Sequence, residues 1–149
     1  MDNMEVVKKY YQNEEYYKMM EEFHKKYGGV AIEPLGGQLI EKICSELNNA
    51  VVLEIGCGEG SIILYFAKKF PNIKFIGTDI SEIAIKLAKE KSQDHRNVDF
   101  LVDDIQKSKL ADGSVDFIIA QSVLEHLSDY RTALKECYRI LRLGGLYVY

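Results

Sequence analysis

What this sequence lacks excludes several classes of protein. It has no apolar run close to the roughly 20 residues of a membrane-spanning helix, and its acidic N-terminus does not resemble a signal peptide. Its formal net charge of −4 argues against a broad basic surface for nucleic acid. Its cysteines, Cys44, Cys57 and Cys137, show neither a disulfide framework nor the paired spacing of a metal site. We therefore expect a cytoplasmic protein without a membrane span, a nucleic-acid partner or a bound metal.

The most informative stretch is Val51–Gly60, where an apolar, β-branched run stops at glycines on every second position, Gly56, Gly58 and Gly60. An amphipathic segment follows at once, so the pattern predicts a buried strand, a tight loop and a helix. Glycine allows positive φ angles and close approach of a ligand, and the helix N-terminus presents free N–H groups. The loop lacks the third glycine of the G-x-G-x-x-G dinucleotide fingerprint and the lysine of a phosphate loop. A nicotinamide-dependent oxidoreductase is therefore the weaker alternative, and a nucleotide triphosphatase is disfavoured.

Glu54 stands two places before the first glycine, and Glu-x-Gly-x-Gly-x-Gly at the end of a first strand resembles the opening motif of the class I S-adenosylmethionine-dependent methyltransferases. The resemblance implies the cofactor S-adenosyl-L-methionine, the product S-adenosyl-L-homocysteine, and a loop that contacts their amino acid end. A carboxylate beside open N–H groups suits an end that is both cationic and anionic. The residues assigned to this contact are Glu54, Gly56, Cys57, Gly58 and Gly60. The alternative is a tight turn without a ligand, in which Cys57 only fills space.

An acid follows each of the next two predicted strands. Asp79 ends the second strand about twenty residues past the glycine loop, where a ribose-binding acid belongs, and Ile80 follows it. Ser81 is the better N-cap for the next helix, which weakens a purely structural role for Asp79. By resemblance, Asp104 accepts from the adenine amino group and Ile105 packs on the ring. Asp103 is the alternative by a slip of one residue, and a solvated acidic turn is the other.

The fourth predicted strand runs from Val115 to Ala120, and the sequence from Asp116 to Leu127 looks like the fourth-strand motif of quinone-biosynthesis and related small-molecule methyltransferases. The resemblance implies that Gln121 contacts the cofactor where it meets the substrate. His126 could act as a general base, because its unperturbed pKa lies near neutrality. The alternative is a helical residue that forms a local hydrogen bond.

The alternation of strands and helices predicts an α/β fold, a doubly wound and mainly parallel Rossmann-like sheet of about five strands with N-terminal helices. We expect one compact domain, with residues 1–48 as a helical cap and residues 49–149 as the cofactor-binding core. The N-terminal helices carry many tyrosines, which either pack on the sheet or form a lid over the site. The last helix is predicted from Tyr130 to Arg142, with Leu134, Cys137, Tyr138 and Leu141 inward.

The C-terminal end departs from the usual pattern of this family. Leu143-Gly144-Gly145 predicts a helix stop, and Leu146–Tyr149 predicts a fifth strand. The class I fold ordinarily has seven strands, so its last two are missing here, and the chain is either a fragment or has its edge covered in another way. An open apolar edge favours pairing with another chain. We therefore expect self-association through Leu146–Tyr149 or poor solubility.

The resemblance implies methyl transfer to an oxygen, nitrogen or carbon atom of a small-molecule substrate by direct in-line attack. The chain would contribute positioning and exclusion of water. Two alternatives remain open: a non-catalytic or truncated S-adenosylmethionine-binding module, and the NAD-dependent oxidoreductase.

Overall fold

The structure is a computed structural model that describes residues 14, 15, 18 and 34–149. The tyrosines of the N-terminal segment lie outside these ranges, so their role as a lid stays a prediction, as does the division at residue 48. Within the described ranges, no helix is long and apolar enough to cross a membrane. The same ranges hold no cluster of His, Cys, Asp and Glu that could bind a metal ion.

In the described part of the chain, five strands form a single sheet, and every neighbouring pair of strands is parallel. The strands are β1 (Val51–Ile55), β2 (Lys74–Asp79), β3 (Val98–Val102), β4 (Val115–Ile119) and β5 (Leu141–Val148). Their order is β3-β2-β1-β4-β5. β2 and β3 therefore lie on one side of β1, and β4 and β5 lie on the other side. This arrangement confirms the predicted doubly wound sheet. It also creates a switch point between β1 and β4, where such sheets bind ligands at the carboxyl ends of the strands.

Four helices between residues 34 and 140 cover the two faces of the sheet. They are α1 (Pro34–Glu46), α2 (Ser61–Lys69), α3 (Glu82–Lys91) and α4 (Tyr130–Ile140). Consecutive residues of β1 face opposite sides: Val52 belongs to a core cluster with Phe66 of α2, and Leu53 to a second cluster with Cys137 of α4. Both side chains are fully buried. A strand covered on both faces is mostly apolar, which explains the hydrophobic run Val51–Leu53 at the start of β1.

The last helix differs from its prediction in its length and in its buried face. It ends at Ile140, and its buried residues are Ala133, Cys137 and Ile140. Tyr138, which was expected to point inward, is 83% exposed. The sequence offers two apolar stripes that are one residue apart, and the structure buries the one with the smaller side chains. The N-cap Asp129 fixes where the helix begins, because its side chain accepts the N–H groups of Arg131 and Thr132.

The predicted helix stop at Leu143-Gly144-Gly145 is instead part of β5. The three residues of β4 from Val115 to Phe117 are matched by six of β5, from Leu141 to Leu146. The extra residues form an irregularity that Gly144 permits, because its φ of +83° is a left-handed conformation. The strand then resumes its register up to Val148, as the sequence predicted.

Asn97 joins the end of α2 to the start of β2. Its side-chain Nδ2 donates to the carbonyl oxygens of Ala67, Phe70 and Ile73 at 3.1, 3.2 and 3.0 Å. Replacing Asn97 by alanine is expected to lower the free energy of unfolding by about 1–3 kcal/mol, because partly buried carbonyl groups lose their donor. Urea unfolding measures the change. Asn72→Ala, in the exposed turn before β2, is the matched control with an expected change below about 0.5 kcal/mol. Equal effects of the two substitutions would contradict this role.

Candidate functional site

The residues predicted for the site follow the carboxyl ends of four neighbouring strands. Glu54 lies in β1, just before the glycine loop, which we define as residues 56–60. Asp79 closes β2, and Asp104 comes shortly after β3. Gln121 follows β4 by two residues. Because the strands are parallel neighbours, their carboxyl ends meet at one edge of the sheet, and the structure brings the four predicted groups to that edge.

The glycine loop requires its glycines for two reasons. Gly56, Gly58 and Gly60 have φ angles of +68°, +53° and +84°, which side chains other than glycine adopt at a cost. Space is also limiting, because a Cβ at Gly56 would overlap Val123, and one at Gly60 would lie 2.7 Å from Cζ of Phe100. The loop therefore passes close to its neighbours and turns its backbone into the helix that follows.

Asp79 holds the glycine loop against the end of β2. Its Oδ2 accepts the N–H of Gly58 at 2.9 Å, and its Oδ1 accepts the N–H of Ser81 at 2.8 Å. Burial raises the pKa of Asp79, and these N–H groups partly offset the effect. Ser81 is the N-cap of α3, as predicted, with its hydroxyl accepting the N–H of Ala84 at 3.2 Å. Each oxygen of a carboxylate accepts more than one hydrogen bond, so Asp79 retains capacity for hydroxyl donors.

Glu54 is a buried carboxyl group with one unsatisfied oxygen. Glu54 is only 3% exposed, and its Oε2 has no hydrogen-bond partner in the described part of the chain. Burial raises the pKa of Glu54 to about 8, the N–H of Ile63 in α2 lowers it, and the nearby charges of Asp79 and Glu59 raise it further. An orphaned buried carboxyl oxygen beside the glycine loop fits a ligand with a positively charged group.

Glu59 is a buried acid of the loop that sequence reasoning missed. It is 7% exposed, its Oε2 pairs with Nζ of Lys91 at the end of α3, and its Oε1 accepts the hydroxyl of Ser61. This pair neutralises Glu59 and braces the loop against α3. No spacing rule could predict it, because the two residues lie on different elements and meet only in the folded chain.

The two acids after β3 differ in their surroundings. Both oxygens of Asp103 are engaged, one by the Ser108 hydroxyl at 2.6 Å and the other by the N–H of Lys109 at 3.1 Å. Asp104 caps a short 3₁₀ turn by accepting the N–H of Gln106 at 3.1 Å. Asp104 has a cationic neighbour as well, because its Oδ2 lies 3.8 Å from Nζ of the exposed Lys107. The adenine contact of Asp104 stays a prediction.

Three other predicted residues lie close to this edge. Ile80 is half-buried between Asp79 and the start of α3. Ile105 is 7% exposed and belongs to the core cluster on the α4 side of the sheet. Cys57 is buried in the loop, its N–H donates to the carbonyl of Thr78 at 2.9 Å, and burial raises the pKa of its thiol, so it is not a reactive thiolate. Their contacts with a cofactor are predictions.

The segment after β4 carries Gln121 and His126. Gln121 is half-buried. Ser122 has a φ of +52°, a left-handed conformation, and the next residue, Val123, lies against the glycine loop. His126 ends a short 3₁₀ turn, Leu124–His126, and its N–H donates to the carbonyl of Val123 at 3.0 Å. Val123 is the residue that a side chain at position 56 would strike, so this segment lies directly beside the glycine loop. The role of His126 as a base stays a prediction.

The raised pKa of Glu54 predicts a pH-dependent stability. The folded carboxyl, with a pKa of about 8, binds a proton more tightly than the unfolded one, whose ordinary value is about 4.3. The free energy of unfolding is therefore expected to fall as pH rises between about 5 and 8, by at most about 1.4 kcal/mol per pH unit, and to level off above that window. In Glu54→Gln this slope is expected to flatten, as measured by urea unfolding across the window. Parallel profiles for the two proteins would contradict the raised pKa.

Comparisons with known proteins agree with this geometry. A family model described as a methyltransferase domain, of type 11, matches residues 53–149. The chain therefore belongs to this family, and with it to the class I S-adenosylmethionine-dependent methyltransferases. The match begins in β1 and includes every predicted site residue.

Individual relatives give the same result. The chain is 32% identical over 94 residues to a malonyl-[acyl-carrier protein] O-methyltransferase of Ilyobacter polytropus, covering 63% of this chain and 35% of the relative. It is 34% identical over 107 residues to the ubiquinone/menaquinone biosynthesis C-methyltransferase of Rickettsia prowazekii, covering 67% and 43%. The crystal structure of a SAM-dependent methyltransferase from Aquifex aeolicus superposes with a TM-score of 0.64 at 27% identity, covering 71% and 58%. The chain thus spans less than half the length of these two curated relatives.

Proposed function

We propose that this chain binds S-adenosylmethionine along the carboxyl ends of β1, β2, β3 and β4 and directs its methyl group to a small molecule. The observation that carries the proposal is the tie between the glycine loop and Asp79, made by the Gly58 N–H at 2.9 Å. This tie supports the proposal because it holds Asp79, an acid of the type that binds ribose hydroxyls, directly against the glycine loop in a chain of the methyltransferase family.

Each predicted residue takes one task in this proposal. Asp79 accepts hydrogen bonds from the ribose hydroxyls, and Asp104 accepts from the adenine amino group. Glu54 faces the amino acid end, whose carboxylate meets backbone N–H groups at the start of α2. The remaining assigned residues line the path between these anchors: Gly56, Cys57, Gly58, Gly60, Ile80, Ile105 and Gln121.

The chemistry needs little from the protein beyond placement. When bound, S-adenosylmethionine supplies an electrophilic methyl group on a sulfonium sulfur. The segment after β4 holds Gln121 where the acceptor would meet that methyl group, so that an oxygen, nitrogen or carbon atom attacks in line. In this proposal the protein contributes positioning and exclusion of water. His126 is the candidate base for acceptors that must lose a proton.

The acceptor is proposed to be a small molecule, but its identity differs even between the relatives. One relative is named for a malonyl-[acyl-carrier protein] and the other for ubiquinone and menaquinone biosynthesis. A cytoplasmic location and self-association through β5 are further proposals. Among the described residues β5 pairs only with β4. Leu146 in β5 and Tyr149, directly after it, are 46% and 84% exposed.

Transfer of a labelled methyl group tests the proposed function. The protein is incubated with S-adenosylmethionine labelled in its methyl group and with acceptors of each class, including malonyl-[acyl-carrier protein] and demethylmenaquinone. Formation of a labelled product that requires the protein supports a methyltransferase. Binding of S-adenosylhomocysteine without transfer to any acceptor supports the non-catalytic module instead. Binding of NADH in place of S-adenosylhomocysteine would overturn the proposal in favour of the oxidoreductase.

A further inference from the structure

The charges around the glycine loop do not balance within the described part of the chain. Three acids surround the loop, and only Glu59 has a cationic partner there, Lys91. The hydrogen bonds that Asp79 accepts come from backbone N–H groups. Glu54 has the N–H of Ile63 and no counterion. Among the described residues, the site therefore has more buried acid than positive charge.

The groups that face Glu54 from each neighbouring element make an ionised form costly. β2 contributes Asp79, and the loop contributes Glu59 and the Cys57 thiol, all of which carry negative charge when ionised. α2 contributes the N–H of Ile63, which lowers the pKa of Glu54 and so opposes this effect. Residues 120–124, which follow β4, include no titratable side chain.

A buried carboxyl group in such surroundings keeps its proton, because an isolated buried charge is far more costly than a neutral acid. The pKa of about 8 agrees with this expectation, and at neutral pH it makes the carboxyl predominantly neutral. Glu54 is only 3% exposed, so bulk water does not reach the unpartnered Oε2 to form a hydrogen bond with it.

We propose that Glu54 exchanges its proton for the ammonium group of the cofactor: the carboxyl is protonated in the ligand-free protein and releases one proton as the amino acid end of the ligand docks. This inference rests on the proposed function and deepens it, since it names the group that recognises the cationic end. The O–H bond of the carboxyl breaks, its proton goes to the buffer, and the carboxylate that remains pairs with an ammonium group that keeps its three protons. The site thereby selects ligands that bring their own positive charge.

Calorimetric titration with S-adenosylhomocysteine in buffers of different ionisation enthalpy tests the proposal. At about pH 6.5 both the ligand's α-amino group and a carboxyl of pKa about 8 hold their protons. The binding enthalpy is expected to vary with the buffer by an amount that corresponds to nearly one proton released per ligand. The affinity is expected to rise close to tenfold per pH unit between about pH 6 and 7.5.

One shortened ligand and two variants identify the group that releases the proton. 5′-Methylthioadenosine lacks the amino acid end, so the unmodified protein is expected to bind it without releasing a proton. This control does not depend on the folding of a variant. Glu54→Gln is expected to bind S-adenosylhomocysteine with no proton release, whereas Glu46→Gln, at an exposed glutamate of α1, is expected to keep the release of the unmodified protein.

The possible failures are distinguishable. S-adenosylhomocysteine binding with a buffer-independent enthalpy would overturn the proton exchange and leave the proposed function intact. A release that persists in Glu54→Gln, or that occurs with 5′-methylthioadenosine, would assign the proton to another group and equally overturn it. Absence of any binding to the folded protein would overturn the proposed function together with this inference.

Discussion

Replacing Asp79 by alanine is expected to weaken S-adenosylhomocysteine binding by at least about 100-fold. A hydrogen bond to a charged acceptor contributes about 1.5–3 kcal/mol, and the proposed ribose contact has two, so a loss of about 3 kcal/mol corresponds to this factor. The substitution also frees the N–H of Gly58 and so releases the glycine loop from β2. Calorimetric titration of both proteins measures the ratio of the dissociation constants.

Two further variants separate ligand recognition from general damage. Asp94→Ala, in the exposed turn after α3, removes an equal charge away from the site and is expected to leave affinity unchanged. Asp79→Asn keeps the size of the side chain. Its affinity for S-adenosylhomocysteine is expected to lie between those of Asp79→Ala and Asp94→Ala, because an amide offers one accepting oxygen in place of two. If Asp79→Ala remained folded and bound within about threefold of the unmodified protein, the ribose assignment would be wrong.

A single methyl group at Gly60 is expected to destabilise the protein by about 2–5 kcal/mol. The left-handed conformation costs a residue with a side chain about 1–2 kcal/mol, and overpacking costs about 1–3 kcal/mol more. The added Cβ would lie 2.7 and 2.9 Å from two atoms of the Phe100 ring and 3.3 Å from Ala88. Such a loss is a large part of a domain's total stability. Urea unfolding of Gly60→Ala measures it.

The chain offers controls for each contribution. Gly77→Ala has an ordinary φ and places its Cβ 2.6 Å from Phe100 and 2.9 Å from the Cys57 sulfur, so it reports overpacking alone. Gly113→Ala has a φ of +57° and no atom within 4 Å, so it reports the backbone cost alone. The loss at Gly60 is expected to approach the sum of the other two. A loss at Gly60 no larger than that at Gly113 would show that Phe100 yields easily and that the fit of the loop is not tight.

The path from β1 through the loop to Asp79 was predictable because its signals are local. A β-branched run, glycines at alternate positions and an amphipathic segment define the strand, loop and helix from neighbouring residues. Ser81 was predicted as an N-cap from its chemistry alone, and its bond to Ala84 confirms it. The parallel sheet followed from the alternation of elements, because parallel strands need a crossover between them.

Features that depend on distant parts of the chain were not predictable in this way. Glu59 and Lys91 are 32 positions apart and pair only because α3 ends beside the loop. The buried stripe of α4 was predicted one residue too far along, because the larger side chains of Leu134 and Tyr138 stand next to the smaller ones that the sheet covers. The glycines at 144 and 145 resemble a helix stop, and only pairing with β4 makes them part of a strand.

The most direct test of the account is to locate the bound ligand by nuclear magnetic resonance of the backbone amides. Titration with S-adenosylhomocysteine is expected to shift the amides of residues 56–61, 79–81, 104–106 and 121–123, all with one dissociation constant. Amides at the opposite ends of the strands, such as those of Val51, Lys74 and Val115, are expected to stay in place. Shifts confined to that opposite edge, or no shifts in the folded protein, would contradict a cofactor site at the carboxyl ends of the strands.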